Sequence, residues 1–361
     1  MTRFADPDLW GHVRFGQEII RTGGIVRYDP YSYTAPGHLW RNHEWLAEAI
    51  MAAAYDSLGV FGLKLVKLAC AAATVTFIAA AEGETGAPVS IQAGVLLVTA
   101  LMITLQVQFR PQMFTFALFG GLIYLLTRDS YRRRAPLWLA VPLLALWANL
   151  HGGFIAGLGA LWIYAAVSGV QELIAHRTGA RAMRLAAIAA AATIATLATP
   201  YGTGTWMAVA RALRNPYTRM FVKDWYPLLV AIRINLDRSW LVVSYYCAAI
   251  ALAAAMIISF IAAPAYDDLA LVAIGIAMSA AAFKAMRNIS IEAIAIAVPL
   301  CRHLFAAVFR WRDSSDSHSA PAMPIPATAI FALLGVALLW QTGLFSGELG
   351  GPEIYPAGAR D

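Results

Sequence analysis

The chain has 361 residues, of which 60% are hydrophobic and 13% charged, with a formal net charge of +6. A soluble domain carries roughly 25% charge and 45–50% apolar residues, so this composition points to lipid as the surrounding solvent rather than to a large water-facing surface. The positive balance does not mark a nucleic-acid binder, because the arginines lie in short loops between apolar runs and no basic patch interleaves with stacking aromatics.

Residues 1–58 read as an outside-facing loop with two helices joined by turns. Asp6 can cap the first helix, with Pro7 at its first position. Leu9, Val13, Gln17 and Ile20 are nearly aligned along one stripe, and Gly23-Gly24 ends the helix. Asp29-Pro30 and Pro36-Gly37 mark turns, after which Asn42 can cap a helix running from His43 to about Ser57, with Leu46 and Ile50 on one face. Both helices suit a position along the membrane surface.

About ten apolar runs follow, at roughly 59–81, 91–107, 111–127, 136–150, 153–174, 185–199, 238–262, 267–285, 289–307 and 325–345. Each approaches the length of about 20 residues that spanning requires. The sequence therefore predicts an all-α, polytopic transmembrane helical bundle. Its transmembrane domain covers 59–345, and a short tail covers 346–361. Cys70, Cys247 and Cys301 fall inside apolar runs with no CxxC pair, so they read as small buried hydrophobes.

Arginine placement orients the bundle. The loop from Arg128 to Arg134 is the strongest cytoplasmic marker, and counting from it places Arg177, Arg181, Arg184, Arg302, Arg310 and Arg312 on the same side. The mixed stretch between 199 and 238 must then be an outside loop. The same count puts residues 1–58, Phe109-Arg110-Pro111, the run from Asn149 to Gly153 and Met286-Arg287-Asn288 together at the outer boundary. An outside segment as long as 1–58 needs something to carry it across, so one further apolar helix is expected ahead of Met1, with unassisted translocation of the N-terminal tail as the alternative.

These outer clusters hold the candidate chemistry. Asp8 and His12 are one helical turn apart; the pair can serve as a general base, give two ligands to a divalent ion, or simply favour the helix dipole and the interface. His43 and Glu44 at the start of the second helix can bind a ligand or each other. Arg110, His151 and Arg287 flank spanning segments, where an ionisable group usually faces a cavity or a partner. Guanidinium forks suit phosphate, so a lipid phosphate or pyrophosphate is a natural ligand, with snorkelling to headgroups as the plainer role. Gly152-Gly153 permits a tight re-entry after Asn149 and His151. Asp224 can supply another acid from a later outside loop. No P-loop, dinucleotide fingerprint, HExxH or nucleophile elbow occurs, which argues against ATP hydrolysis, nicotinamide redox work and the familiar membrane proteases.

The run from Asp6 to His12, the stretch Asp29-Pro30-Tyr31-Ser32-Tyr33-Thr34 and the segment Asn42-His43-Glu44-Trp45-Leu46 resemble bacterial multi-pass proteins of the GT-C glycosyltransferase superfamily. Arg110-Pro111-Gln112, the run from Trp147 to Gly153 and Arg287-Asn288 resemble further marks of that group. The resemblance implies a bacterial inner-membrane enzyme that moves a sugar from a polyprenyl-phosphate donor to a glycan, lipid or protein acceptor at the periplasmic or extracellular face. It implies a catalytic acid at Asp8 or Asp6, with His12, His43 and Glu44 orienting acceptor or acid, or completing a Mg or Mn site in metal-using members. Arg110 and Arg287, with Asn149, His151 and Asn288 nearby, would bind the substrates. Two other functions fit such a chain: a transporter or flippase for a lipid-linked or anionic solute, and a non-catalytic subunit that keeps the fold.

Overall fold

A computed structural model describes residues 8–34, 36–104, 106–132, 135–176, 179–236 and 239–314. Asp6, the run at 325–345 and the tail at 346–361 lie outside the described residues. Among the described residues the chain is all-helical, and one isolated bridge, between Tyr28 and Leu39, is the sole strand-like pairing.

The helices are α1 (Leu9–Thr22), α2 (Trp45–Gly83), α3 (Val89–Thr104), α4 (Gln112–Arg132), α5 (Ala140–Leu150), α6 (Phe154–His176) and α7 (Ala180–Ala195). They continue as α8 (Thr203–Arg214), α9 (Pro216–Phe221), α10 (Leu228–Asn235), α11 (Trp240–Ala262), α12 (Leu269–Lys284) and α13 (Ile289–Ser314). A helix occupies each of the nine expected apolar ranges between 59 and 307. Five helical stretches, in α2, α6, α11, α12 and α13, are long and apolar enough to cross a membrane, while α3 and α5 are apolar but shorter.

A helix covers 45–58, as the sequence suggests, and Gly59, at φ 60° and ψ −146°, is non-helical and divides it from the helix that follows within α2. One expectation changes. The expected outside loop between 199 and 238 folds into α8, α9 and α10. Asn215 starts α9 by accepting the Tyr217 N–H, with Pro216 at the first helical position.

The α1 stripe is buried at Leu9 and Val13 but opens at Ile20, which is 51% exposed. On α2 the packed face carries Ala47, Glu48, Met51 and Ala52, not Leu46 and Ile50. Leu9, Val13, Met51, Leu63, Phe109 and Met113 form one small apolar cluster tying α1 and α2 to the start of α4. The larger core is built from α2 to α7 and from α11 to α13, with α4 lying along α2 and α13 against α3, α11 and α12.

Helix α4 separates two polar ends. Its 21 residues span roughly 31 Å at 1.5 Å per residue, close to the hydrocarbon thickness of a bilayer. At its C-terminal end Arg132 pairs with Glu84, Arg181 reaches Asp129 at 2.6 Å, and Tyr131 donates to Asp268 at 3.0 Å. His303 sits between the Ala263 carbonyl at 2.9 Å and Asp268 at 3.1 Å. At its N-terminal end lie Arg110 and the groups described below.

Helix α1 approaches α2 closely at Gly16. A Cβ there would lie 2.0 Å from the Glu48 carbonyl oxygen, so α1 seats on α2 only with glycine at this position. Gly16→Ala is expected to lower the thermal unfolding midpoint of the purified chain, at a cost of about 1–3 kcal/mol typical of overpacking. Gly11→Ala, whose Cβ would meet only the Phe15 ring at 3.7 Å, should be tolerated. An unchanged midpoint in Gly16→Ala would mean that α1 does not pack this way.

Candidate active site

The site begins with Asn42, whose side chain works in two directions. Its amide oxygen accepts the Glu44 N–H at 3.1 Å, closing a turn that leads into α2, and its amide nitrogen donates to Glu48 Oε2. The Asn42 N–H donates in turn to the Tyr201 hydroxyl at 3.1 Å, so the turn is tied to the segment ahead of α8. Glu44 and Glu48 lie one turn apart on a common face. The close approach at Gly16 brings α1 onto that face, and His12 Nδ1 meets Glu48 Oε1 at 2.9 Å. Glu48 is 2% exposed.

His151 approaches from the other side. The Trp147 indole N–H donates to Thr115 Oγ at 2.9 Å, which leaves the Thr115 hydroxyl hydrogen for His151 Nδ1 at 2.7 Å. The Gly153 N–H donates to the same nitrogen at 3.0 Å. Both neighbours donate, so Nδ1 is the acceptor and the ring proton sits on Nε2, which faces Glu44 Oε1 at 3.4 Å. Gly153 is required because a Cβ there would lie 2.6 Å from Thr115 Oγ and 2.8 Å from His151 Nδ1. Gly153 thus lets the backbone approach Thr115 and His151, and Gly152 lets it approach His43 and Val209.

Two arginines complete the site. Arg110 precedes α4 and forks between two carboxylates, reaching Asp224 at 2.9 Å and Asp8 at 3.0 Å. Arg287 sits in the turn between α12 and α13 with its guanidinium 4.7 Å over the Trp225 ring. Among the described residues that guanidinium makes no hydrogen bond and no ion pair. Its backbone carbonyl accepts from Gln112 at 3.4 Å.

A cavity of about 420 Å³ is lined by Asp8, His12, Glu44, Arg110, His151 and Arg287 among others. A second, of about 470 Å³, shares Arg110, Gln112 and Arg287 with the first and continues past Leu241, Val242, Tyr245 and Tyr246 of α11. The two meet at the arginines, and the second joins the polar groups Gln106, Gln108, Gln112 and Asp224 to the apolar side of α11.

Asp8, His12, Glu44, Arg110, His151 and Arg287, all singled out in the sequence, therefore line one cavity. Three others take supporting places. Asn149 accepts from the Trp45 indole at 2.9 Å and donates to the Ala145 and Ala198 carbonyls. Asn288 donates to the Ala281 carbonyl at 3.0 Å and finishes α12. His43 stands 3.8 Å from Glu44 and packs against Gly152. Asp8 and His12 do not converge on one ion: Asp8 turns to Arg110, while His12, Glu44 and Glu48 have ligand atoms within 4.8 Å of one another. That donor set, one imidazole and two carboxylates, fits a divalent ion. Sequence reasoning missed Glu48, Thr115 and the pairing of Asp224 with Arg110. The only local signal for Glu48 was its i+4 spacing from Glu44.

No protein-family model and no curated protein matches the chain.

The electrostatics follow from the geometry. Burial pushes the His12 pKa down, but the Glu48 hydrogen bond and the charges of Glu44, Glu48 and Asp8 outweigh it and hold the ring above its ordinary value. Burial pushes Glu44 up, yet the nearby histidines and Arg287 leave it below the usual carboxylate value. Burial is the main cause at His151, aided by Arg287, His43 and His12 against the opposing charge of Glu44, and drives it down to about 3. A histidine whose folded pKa lies below its ordinary 6.5 gives stability that is complete above 6.5 and is lost as pH falls toward 3. The thermal unfolding midpoint should therefore drop between about pH 7 and about pH 5, and His151→Gln should shrink that drop. An equal drop in the variant would contradict a neutral buried His151.

Proposed function

We propose that the chain is a membrane glycosyltransferase of about ten spans that takes a sugar from a polyprenyl-phosphate donor at the non-cytoplasmic face. One observation carries this reading. The Arg287 guanidinium, with no anionic partner among the described residues, lines both cavities beside Arg110 and within reach of the acids. A guanidinium that lies near Asp224 and Glu44 but bonds directly to neither is open to an anionic ligand, and a guanidinium favours phosphate. The Leu241, Val242, Tyr245 and Tyr246 side of the second cavity suits the start of a lipid tail, and the polar groups of both cavities suit a phosphate, a sugar and an acceptor hydroxyl. The two together match an amphiphilic donor better than a soluble one.

In this reading Asp8 is the base. Its carboxylate is 65% exposed on the cavity rim, with Oδ2 held by Arg110. The acceptor hydroxyl gives its proton to Asp8, and its oxygen forms a bond to the anomeric carbon. The bond from that carbon to the phosphate oxygen breaks, and its electron pair leaves with the phosphate. Arg287 and Arg110 stabilise the charge that gathers there. Arg110 must give up part of its hold on Asp8 or Asp224 to do so, which couples arrival of the phosphate to release of the base. His151, neutral and fixed by Thr115, positions Glu44. A divalent ion held by His12, Glu44 and Glu48 would add positive charge beside the donor phosphate.

Asp8→Ala should lower transfer by about 10²–10⁴-fold, the range for loss of a general base, with unchanged protein level. Arg287→Ala should raise the KM for the donor. Both are read by comparing lipid-linked sugars and glycans made by membranes carrying the variant and the parent chain. Full turnover in Asp8→Ala removes Asp8 from the chemistry. Movement of labelled lipid-linked sugar across vesicles without transfer would favour a flippase instead. The topology has its own check in a background without native cysteines. Tyr33→Cys, at a 96% exposed position, should react with an impermeant reagent from outside cells, and Arg132→Cys should not. The reverse pattern would put the cavity on the cytoplasmic side and end the proposal.

A further inference from the structure

We propose that α8, α9 and α10 form a membrane-surface platform in which Arg211 and Arg214 bind the headgroups of anionic phospholipid while Met220 and Phe221 enter the apolar layer below. The platform holds whichever reaction the cavity carries and whichever face of the bilayer it opens to.

The first observation is charge. Residues 203–236 carry five basic side chains and one acid, Asp224, which is held by Arg110 at 2.9 Å. Arg211, Arg214, Lys223 and Arg233 are exposed, and among the described residues none of them pairs with a carboxylate. At the opposite end of α4 the bases are matched: Arg132 with Glu84, Arg181 with Asp129 and Arg302 with Asp267. An excess of unmatched bases beside a bilayer attracts anionic headgroups.

The second observation is shape. An open groove of about 520 Å³ on α8 is lined by Met207, Ala210, Arg211, Arg214 and Asn215. Two guanidinium groups beside an apolar floor suit a phosphate headgroup with the first methylenes of its lipid below. Asn215 ends α8 and turns the chain directly into α9, where the Tyr217 and Phe221 rings stack at 6.3 Å. Phe221 is 71% exposed, and Tyr217, Met220 and Val222 beside it are exposed too. Apolar and aromatic side chains held outward among bases mark an interfacial segment.

The third observation is continuity. Leu229, Val230 and Ile234 of α10 are exposed, and α11, long and apolar enough to cross a membrane, opens with exposed Trp240 and Leu241. The exposed apolar set therefore leads along the chain into the lipid-facing wall of α11, with a tryptophan where the spanning helix begins. Lipid is the occupant that this succession fits.

The platform brackets the turn Lys223–Trp225. Asp224 reaches Arg110, Trp225 lies under Arg287, and the Tyr226 carbonyl accepts the Met286 N–H at 3.0 Å. Seating α9 and α10 on lipid holds this turn against both arginines from its two sides.

The depth test uses the full chain in nanodiscs of equimolar phosphatidylcholine and phosphatidylglycerol, in a background without native cysteines. A spin label on Phe221→Cys should collide more with oxygen, which concentrates in lipid, than with a water-soluble nickel chelate, and one on Tyr33→Cys should show the reverse. The charge test is native mass spectrometry of the purified chain titrated with each lipid alone. Phosphatidylglycerol should bind more tightly than phosphatidylcholine. Arg211→Gln/Arg214→Gln should weaken phosphatidylglycerol binding by about 5-fold or more, the worth of one basic residue at an anionic surface, and leave phosphatidylcholine binding unchanged. A label at position 221 more accessible to the chelate than to oxygen would overturn the platform. So would equal phosphatidylglycerol binding by parent and double variant. Spin–spin broadening between labels at position 221, with neither reagent reaching them, would assign the surface to a second copy of the chain and overturn it as well.

Discussion

The His12–Glu48 contact, 2.9 Å across the α1–α2 interface, is the constraint on which the site depends. It exists because Gly16 lets α1 come against the Glu48 carbonyl with no intervening side chain. Leu9 and Val13 then bury on Met51 and Leu63, and this apolar seam fixes the rotation of α1. With that rotation set, Asp8 falls one turn toward Arg110 and His12 falls over the two glutamates. A different seating of α1 would part Asp8 from Arg110 and His12 from the glutamates at once, because both side chains reach the cavity from α1.

The two polar ends of the bundle differ in how completely they are compensated. At the end holding Arg132, Arg181 and Arg302, the acids Glu84, Asp129, Asp267 and Asp268 each have basic partners. These four acids are paired, while Glu82 beside them is fully buried with no hydrogen-bond partner to either carboxylate oxygen among the described residues. At the other end Arg287 has only an aromatic face, and Glu44 and Glu48 share histidines. Such incomplete pairing is costly as architecture, and it is the arrangement expected where a charged ligand supplies what is missing.

Much of this was legible in the sequence, and the reasons are local. The long apolar runs mark nine helices, five of them long and apolar enough to cross a membrane, because a backbone in apolar surroundings must satisfy its own hydrogen bonds. Asp8, His12, Glu44, Arg110, His151 and Arg287 stood out because ionisable groups beside apolar runs are rare. Their common face followed from arginine counting alone. Other features depended on tertiary contacts that no local pattern encodes. Glu48 looks like an ordinary surface residue of an amphipathic helix until α1 covers it. Thr115 is one small polar residue in an apolar run, and only the fold places it between Trp147 and His151. The stretch 199–238 read as a loop because its apolar runs are short, yet it folds into helices and brings Asp224 to Arg110 and Trp225 to Arg287. Asn149 and Asn288 stood out for their setting, but their amides serve the backbone.

The central claim is that Arg110 and Arg287 frame a phosphate beside the acids of α1 and α2. The most direct test is a cryo-electron microscopy map of the full chain in a lipid nanodisc with added undecaprenyl phosphate. The account predicts phosphate density between the two guanidinium groups, with the prenyl chain running past Tyr245 and Tyr246 and Arg110 drawn from Asp8 or Asp224. Lipid phosphate bound elsewhere, with Arg110 still forked between both aspartates and the cavity empty, would contradict it.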